Sequence, residues 1–196
     1  HKYNIQAFRP MLIEGSSVKL HPLNCHAFNA DFDGDTMAAY LPLTEEAKRE
    51  ALEKMLPSKN LFSSTTYGVM HAPDQEAVLG LHLLSKWGKS VNKSFPTYKD
   101  ALASKDKGDL HINDVIKVGG KETTLGRLIL AEKLPEKFKT NELLHDSKYS
   151  LRKGNMYGLL EEVAKHDPKG YPVVVNHLKD LGNQYSYEEG FSFTLD

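Results

Sequence analysis

The stretch NADFDGDTM, residues 29–37, places aspartates at positions 31, 33 and 35, with Gly34 between the last two. Like charges a few ångströms apart repel, so either a solvated turn tolerates the repulsion or a cation among the carboxylates removes it. Two aspartates and a glycine suffice for a surface turn, and a third carboxylate adds only repulsion. Both interpretations stay open here, and the chemistry favours a metal site.

The spacing argues against two other kinds of carboxylate site. Counted from Asp31, the glycine and glutamate that an EF-hand calcium loop requires are replaced by Thr36 and Pro42. The Asp-x-Asp-x-Thr pattern of haloacid dehalogenase phosphatases is also missed. Three monodentate carboxylates around a glycine that tolerates positive φ suit magnesium, which keeps positions for water and phosphate oxygens. This geometry fits phosphoryl or nucleotidyl transfer.

Composition limits the class of protein. The 196 residues are 40% hydrophobic and 26% charged, which is typical of a globular chain with one or two cores. No apolar run approaches the roughly 20 residues that a bilayer span requires. A net charge of −1 gives no bulk argument for nucleic-acid binding, so any such contact must be local. The chain has neither an initiator Met nor a secretory signal, and we expect it to begin inside a longer protein.

Cysteine usage suits a reducing compartment. The single cysteine, Cys25, excludes an internal disulfide and a CxxC zinc site, and we expect a cytoplasmic protein. His21, Cys25 and His26 cluster before the aspartates, but their spacing matches no usual zinc pattern, and packing is the favoured interpretation. We therefore expect no zinc.

The first third of the chain alternates short apolar and polar groups. This pattern predicts two strands within residues 5–28 and a third over Met37–Leu43, with the aspartates in the connection before it. Thr44 then predicts the start of a helix, followed by apolar residues at helical spacing up to Leu56, and Pro57 ends the run.

The remainder is predicted to be mostly helical. A second helix follows Pro73, and residues 85–109 form a lysine-rich surface excursion with little periodicity. Its lysines are favoured as a solvated loop over a nucleic-acid contact. A strand over Val115–Val118 leads through a glycine hairpin turn to TTLGRLIL. Two further helices, Met156–Lys165 and Pro172–Tyr187, are separated by the breaker HDPKGYP.

Several motifs carry a resemblance to one enzyme family. They are NADFDGD, HKYNIQAFRPMLIEG, VKLHPL, DTMAAYLPLTEEAKREA, PDQEAVLGLHLLS and TTLGRLIL. Together they closely resemble the largest catalytic subunit of multisubunit RNA polymerases, which is β′ in bacteria. Two segments depart from the bacterial pattern: DTMAAYLPL stands for DQMAVHVPL, and residues 63–73 replace an NGxPI-like segment. A divergent bacterium and a large phage are both open as the source.

The resemblance implies an α+β fold in two parts. Residues 1–57 would belong to a double-psi β-barrel that carries the NADFDGD loop. Residues 58–196 would form the pore domain that lines the secondary channel, with the excursion near 85–109 on its surface.

The resemblance also implies roles for individual residues. The three aspartates Asp31, Asp33 and Asp35 would chelate the catalytic Mg²⁺ at the RNA 3′ end, and a second ion would arrive with the nucleotide. Asn29 would approach the sugar hydroxyls of the reacting nucleotides. Four further positions match the family near the site, namely Gly34 at the turn, Phe32 as an anchor in the barrel core, and Gln75 and Arg127 near the substrate.

These roles lead to a main hypothesis and two alternatives. The first is a catalytic-core fragment of a DNA-directed RNA polymerase that adds ribonucleotides to RNA and is inactive in isolation. Its partners would be a β-like subunit, the remainder of β′, α and σ-like subunits, template DNA, the RNA 3′ end and nucleoside triphosphates. The alternative is a non-catalytic assembly module that binds the β-like subunit. A stand-alone phosphohydrolase ranks last because no water-activating base is recognisable.

Overall fold

The structure is a computed structural model that describes residues 5–190. It combines helices with one three-stranded sheet, which confirms the α+β class. The chain divides into two compact units. Unit 1 comprises the residues up to Ala72 together with Leu160–Pro172, and unit 2 comprises Pro73–Leu159 together with the residues from Val173 onward. The sequence-based boundary after residue 57 stays a prediction.

Unit 1 contains the aspartates and two short helices. A turn over Pro22–Asn24 leads into helix α1, Cys25–Phe28. Helix α2, Glu45–Glu50, continues into a π-helical turn over Ala51–Met55. The Thr44 hydroxyl accepts a hydrogen bond from the Ala47 N–H at 3.2 Å, as expected for an N-cap. The predicted helix start is therefore confirmed.

The strands predicted between residues 5 and 43 are wrong for this structure. Within the described part of the chain, residues 5–43 form no strand and pair with none. A strand needs a hydrogen-bonded neighbour for its backbone groups, and alternation of apolar residues does not supply one. Many large apolar side chains of this segment consequently lie in solvent, including Met11, Leu12, Val18, Tyr40 and Leu41.

The start of the described chain is fixed by three contacts within unit 1. The Ala7 N–H donates to the Met55 carbonyl at 2.9 Å. The Gln6 side chain bonds the buried ring of His71, with 3.1 Å between Oε1 and Nε2. The Tyr171 hydroxyl donates to the His71 carbonyl oxygen. A short polar cluster thus holds residues 6 and 7, whereas the segment that follows has exposed side chains.

The sheet of unit 2 is built from a β-α-β crossover and a hairpin. Strand β1, Ser90–Phe95, and strand β2, Val115–Val118, are parallel and are connected through helix α4, Tyr98–Asp106. Strand β3, Lys121–Thr124, pairs antiparallel with β2. Gly119 and Gly120 both have positive φ, 57° and 84°, which is the geometry that a two-residue hairpin turn requires. The predicted strand and turn are confirmed.

The lysine-rich segment 85–109 is more regular than predicted, because β1 and α4 both lie within it. Helix α4 begins with a capping box: the Thr97 hydroxyl accepts from the Asp100 N–H, and the Asp100 carboxylate accepts from the Thr97 N–H. Ala101 is buried, and most of the other side chains of the segment are exposed. The prediction that this segment lacks regular structure is therefore wrong, and its assignment as a surface excursion of a pore domain stays a prediction.

The remaining helices of the chain follow the sequence pattern. Their bounds are Glu76–Ser85 for α3, Leu125–Glu132 for α5, Asn141–His145 for α6, Lys153–His166 for α7 and Tyr171–Glu189 for α8. The second predicted helix and the last two are confirmed, each within a few residues. Among the described residues, none of these helices is long and apolar enough to cross a membrane.

Candidate metal centre

The chain turns sharply just before the aspartates. Helix α1 ends at Phe28, and Asn29 adopts the left-handed conformation with φ 49° and ψ 46°. The Ala30 N–H then donates to the Cys25 carbonyl at 3.0 Å, which closes the end of the helix. Asparagine is among the few non-glycine residues that tolerate this conformation. The direction in which the chain enters the aspartate loop is therefore set by local sequence.

Two hydrogen bonds inside the loop connect aspartates to one another. The Asp31 N–H donates to Asp35 Oδ2 at 3.0 Å, and the Asp33 N–H donates to Asp31 Oδ1 at 3.3 Å. Gly34 has φ 126°, a conformation that side chains rarely allow. The loop is thus folded back on itself by its own carboxylates, with glycine at the position where the backbone requires it.

The three carboxylates lie close enough to share one cation. One oxygen from each of Asp31, Asp33 and Asp35 lies within 4.8 Å of the others, and all three residues are exposed. Opposite ligands of a magnesium ion are about 4.2 Å apart, because each lies about 2.1 Å from the metal. Hard, anionic oxygen donors are the ligands that Mg²⁺ prefers, so the donor set fits this ion. Within residues 5–190, no other group of three histidine, cysteine or acidic side chains meets the same criterion.

The electrostatics of the loop favour a positive charge. The pKa of Asp33 is raised, chiefly by a side-chain hydrogen bond with Asp31 and then by the negative charge of that residue, with a smaller effect from Asp35. The neighbouring carboxylates therefore disfavour a third negative charge. A cation bound among them would remove this penalty.

The thiol and histidines that precede the loop do not extend this site. Burial raises the pKa of the Cys25 thiol, and the charge of Asp31 adds to the effect, so the thiol form is favoured over the thiolate that metals bind. His21, Cys25 and His26 form no three-ligand group among the described residues. Their interpretation as packing residues stays a prediction.

Comparison with known proteins bears on the same segment. Residues 1–56 match the family model described as RNA polymerase Rpb1, domain 2. The chain is 34% identical over 218 residues to the DNA-directed RNA polymerase subunit beta′ of Leifsonia xyli, covering 100% of this chain and 16% of that protein. The chain belongs to the β′ subunit family of DNA-directed RNA polymerases. The Thermus thermophilus subunit beta′ is 44% identical over 131 residues, 65% of this chain and 9% of the relative.

This β′-family chain spans only part of its relatives. The matched share of the curated relatives is 16% in Leifsonia xyli, 9% in Thermus thermophilus and 18% in Clostridium acetobutylicum, whose subunit beta′ is 36% identical over 209 residues. The match to the Clostridium protein covers 95% of this chain. The similarity therefore extends well beyond the aspartate motif and includes the residues of both units.

Asn29, Phe32 and Gln75 are further predicted site residues of the β′-family chain. Asn29 lies two residues before Asp31 and is exposed. Phe32 is 69% exposed in this structure, and its role as an anchor in the barrel core stays a prediction. Its ring lies in solvent because no described strand covers residues 5–43. Gln75 belongs to unit 2, where it precedes helix α3 with the strained angles φ 51° and ψ −123°.

Arg127 is fully buried inside unit 2. Its Nε donates to the Ser85 carbonyl at 2.9 Å, its Nη1 to the Asp146 carbonyl at 2.7 Å and its Nη2 to the Tyr149 carbonyl. The guanidinium also stacks on the Trp87 ring, 4.7 Å from the ring centre. Because Arg127 is buried and each nitrogen of its guanidinium has a protein partner, the residue connects segments of unit 2, and its predicted place near the substrate stays a prediction. No local sequence pattern indicates these contacts, since the acceptors are backbone carbonyls.

Proposed function

We propose that this chain supplies the magnesium-binding aspartates of a DNA-directed RNA polymerase, in which the assembled enzyme adds ribonucleotides to an RNA 3′ end on a DNA template. One observation carries the proposal. Asp31, Asp33 and Asp35 gather their carboxylates within 4.8 Å, and they do so inside the segment that matches the polymerase family. A purely structural loop does not require three neighbouring carboxylates, because they repel one another.

The three aspartates would hold Mg²⁺, one carboxylate oxygen each. When bound, the metal would lower the pKa of the attacking hydroxyl, and a second ion brought by the nucleotide would neutralise the leaving pyrophosphate. The protein's own contribution is to preorganise the ligands. The bonds from Asp31 N–H to Asp35 and from Asp33 N–H to Asp31 orient two of the three carboxylates, those of Asp35 and Asp31.

Asn29 would bind the sugar of a reacting nucleotide. Its amide both donates and accepts hydrogen bonds, which suits recognition of ribose hydroxyls. The left-handed turn at this residue and the exposure of its side chain support the assignment. Gly34 would serve the site indirectly, through the backbone turn that its φ of 126° allows.

The complete active centre would require other parts of the enzyme. We propose that residues 5–43 join a double-psi barrel when they meet the remainder of β′ and a β-like subunit, and that residues 58–196 contribute to the pore domain. The exposed apolar side chains of residues 5–43 support this proposal. The full enzyme would also hold α and σ-like subunits, template DNA, RNA and nucleoside triphosphates. In isolation, the chain would be inactive.

A non-catalytic assembly module is the second candidate. The same exposed apolar segment favours it, because a surface with Leu12 fully exposed and Met11 at 87% exposure suits a partner chain. This candidate predicts that loss of the aspartates leaves both assembly and RNA synthesis intact.

The deciding experiment is RNA extension on a primed template with the chain assembled into its full enzyme. We expect Asp31→Asn to lower the extension rate about a hundredfold or more, because loss of a metal ligand removes several kcal/mol of transition-state stabilisation. Asp109→Asn, at an exposed aspartate of unit 2, is the matched control and should extend normally. Size-exclusion chromatography verifies assembly of both. Normal extension by the Asp31 variant would leave the assembly module as the function.

A further inference from the structure

Asp33 and Gly34 form the sole Asp-Gly pair of the 196-residue sequence, which contains no Asn-Gly pair. In any peptide, the amide nitrogen after an aspartate can attack the side-chain carboxyl and close a five-membered ring. A side chain on the following residue shields this nitrogen, and glycine carries none. Within the aspartate loop, this ring closure is therefore expected to be fastest at Asp33-Gly34.

The structure leaves this position open. Asp33 and Gly34 are both exposed and lie in a bend outside the helices and strands. A Cβ built on Gly34 would meet nothing within 4 Å, so the space beside this residue is open. Among the hydrogen bonds of residues 5–190, none involves the Gly34 N–H, whereas the N–H groups of Asp31 and Asp33 are both bonded to carboxylates.

We propose that Asp33-Gly34 is a site of isoaspartate formation. The Gly34 nitrogen forms a bond to Asp33 Cγ, the Cγ–OH bond breaks, and the amide proton leaves with the hydroxyl as water. One water molecule then opens the succinimide at the Asp33 main-chain carbonyl. The chain now continues through Cγ, the former main-chain carbonyl carbon becomes a free carboxylate, and the mass is unchanged.

The reaction would alter the aspartate loop in a defined way. Isoaspartate adds one methylene to the main chain at residue 33 and attaches its carboxylate directly to Cα. The hydrogen bond from Asp31 N–H to Asp35, which closes the loop across residue 33, would lose its geometry. The modified loop would no longer present three equivalent carboxylates. The proposal rests on the exposure and the backbone of the loop and is independent of the proposed function.

The test measures isoaspartate directly, without any activity assay. The purified chain is incubated at neutral pH and physiological temperature, digested, and analysed by mass spectrometry with fragmentation that distinguishes isoaspartate from aspartate. The free peptide NADFDGDTM is incubated in parallel as the unprotected reference. We expect isoaspartate at residue 33 of the chain to accumulate within several-fold of the peptide rate. Asp109, which is exposed but precedes leucine, is the internal control and should stay unmodified.

Two variants sharpen the result. Gly34→Ala should slow the reaction by an order of magnitude or more, and circular dichroism checks that the chain keeps its fold, because φ 126° strains alanine. Asp33→Asn should deamidate faster than the parent isomerises, since the neutral side-chain amide of asparagine is attacked more readily than a carboxylate. Protection of residue 33 in the parent and in Asp33→Asn, under conditions in which the peptide reacts, overturns the proposal, as does an unchanged rate in a folded Gly34→Ala chain.

The same chemistry decides which variant can test the metal site. The succinimide of an Asp33→Asn chain would open to isoaspartate and, at the other carbonyl, to aspartate, so part of the sample would regain the original ligand set during storage. Asp31 precedes Phe32, whose side chain shields the amide nitrogen, so Asp31→Asn is the more durable substitution.

Discussion

Burial of a charged group decides the role of Arg127. Three backbone carbonyls, from Ser85, Asp146 and Tyr149, converge on its guanidinium inside unit 2. Burial lowers the pKa of this residue, while Asp146 and Tyr149 act in the opposite direction. A buried cation is tolerated only where its donors are satisfied, and here the fork of the guanidinium matches three acceptors. The residue is therefore a structural link between segments that are distant in sequence.

We expect Arg127→Met to lower the free energy of unfolding by about 3–5 kcal/mol, because three carbonyl oxygens lose charged donors at once. Arg127→Lys should lower the free energy of unfolding by a smaller amount, since the ammonium keeps the charge but reaches fewer acceptors. Urea unfolding followed by circular dichroism measures both. Arg152→Met, at an exposed arginine of the same unit, is the control and should change stability by less than about 0.5 kcal/mol. A loss below about 1 kcal/mol at Arg127 would contradict this role.

His71 makes the stability of unit 1 depend on pH. Burial lowers its pKa from 6.5 to about 4, and the nearby His26 adds to the effect. Because the folded-state pKa is the lower one, the unfolded chain binds a proton that the folded chain does not. This contribution to stability is fully present above pH 6.5 and is lost as the pH falls toward 4.

We expect His71→Leu to weaken the acid dependence of unfolding. The free energy that the parent loses between about pH 7.5 and about pH 5 should shrink by roughly 2 kcal/mol in the variant. The variant also loses the hydrogen bond between Gln6 and residue 71. Because this loss is the same at every pH, it does not affect the change in unfolding free energy between the two pH values. His177→Gln, at an exposed histidine, is the control. An identical acid dependence in His71→Leu and the parent would show that His71 does not carry the effect.

At the scale of elements, two glycines set how closely helices α3 and α8 approach. A Cβ on Gly80 would lie 1.7 Å from the Gly182 carbonyl oxygen, and a Cβ on Gly182 would lie 2.2 Å from the Ala77 carbonyl oxygen. The backbones of the two helices are thus in direct contact. Glycine weakens an isolated helix, so its presence at both crossing positions reflects packing.

We expect Gly80→Ala to destabilise the chain by about 2 kcal/mol or more, although alanine favours a helix by about 1 kcal/mol. The reason is that neither backbone can yield without separating the helices. Gly158→Ala in helix α7 is the matched control. Nothing lies within 4 Å of a Cβ there, and we expect a gain of about 0.5–1 kcal/mol. Thermal unfolding measures both, and a stabilising Gly80→Ala would contradict the close crossing.

Of the two regular elements in residues 85–109, the local sequence indicates helix α4 but not strand β1. The composition of this segment predicted an irregular excursion because β1 is exposed along nearly its whole length and carries no apolar alternation. The start of α4 was nevertheless readable, since Thr97 and Asp100 have the spacing of a capping box. Strand β1 could not be recognised in this way, because its pairing with β2 depends on residues 23 to 25 positions later.

At the scale of the whole molecule, many of the large apolar side chains of residues 5–43 are exposed. Leu12 is fully exposed, and Val18, Tyr40 and Leu41 are each more than 70% exposed. Within the described residues, no strand pairs with this segment. If it completes a barrel in the assembled enzyme, as proposed, its backbone hydrogen bonds should form only on assembly.

We expect amide hydrogen exchange to report this change. In the chain alone, the amides of residues 9–20 should exchange within seconds, and in the complex with the remainder of β′ and a β-like subunit they should slow by orders of magnitude. The β2–β3 hairpin is the internal control, because its amides are already paired and should change little. Strong protection of residues 9–20 in the isolated chain would contradict the structure, and no protection in the complex would contradict the proposed barrel.

The sequence by itself determined the family, the helices of the last third, the hairpin at Gly119-Gly120 and the grouping of Asp31, Asp33 and Asp35. These features depend on residues that are neighbours in the chain, so spacing and local backbone preference are enough to predict them. Only the tertiary structure decided that Arg127 is buried, that Phe32 is exposed and that residues 5–43 form no strand. Each of these depends on whether distant segments supply a carbonyl, a core or a neighbouring strand, and no local pattern contains that information.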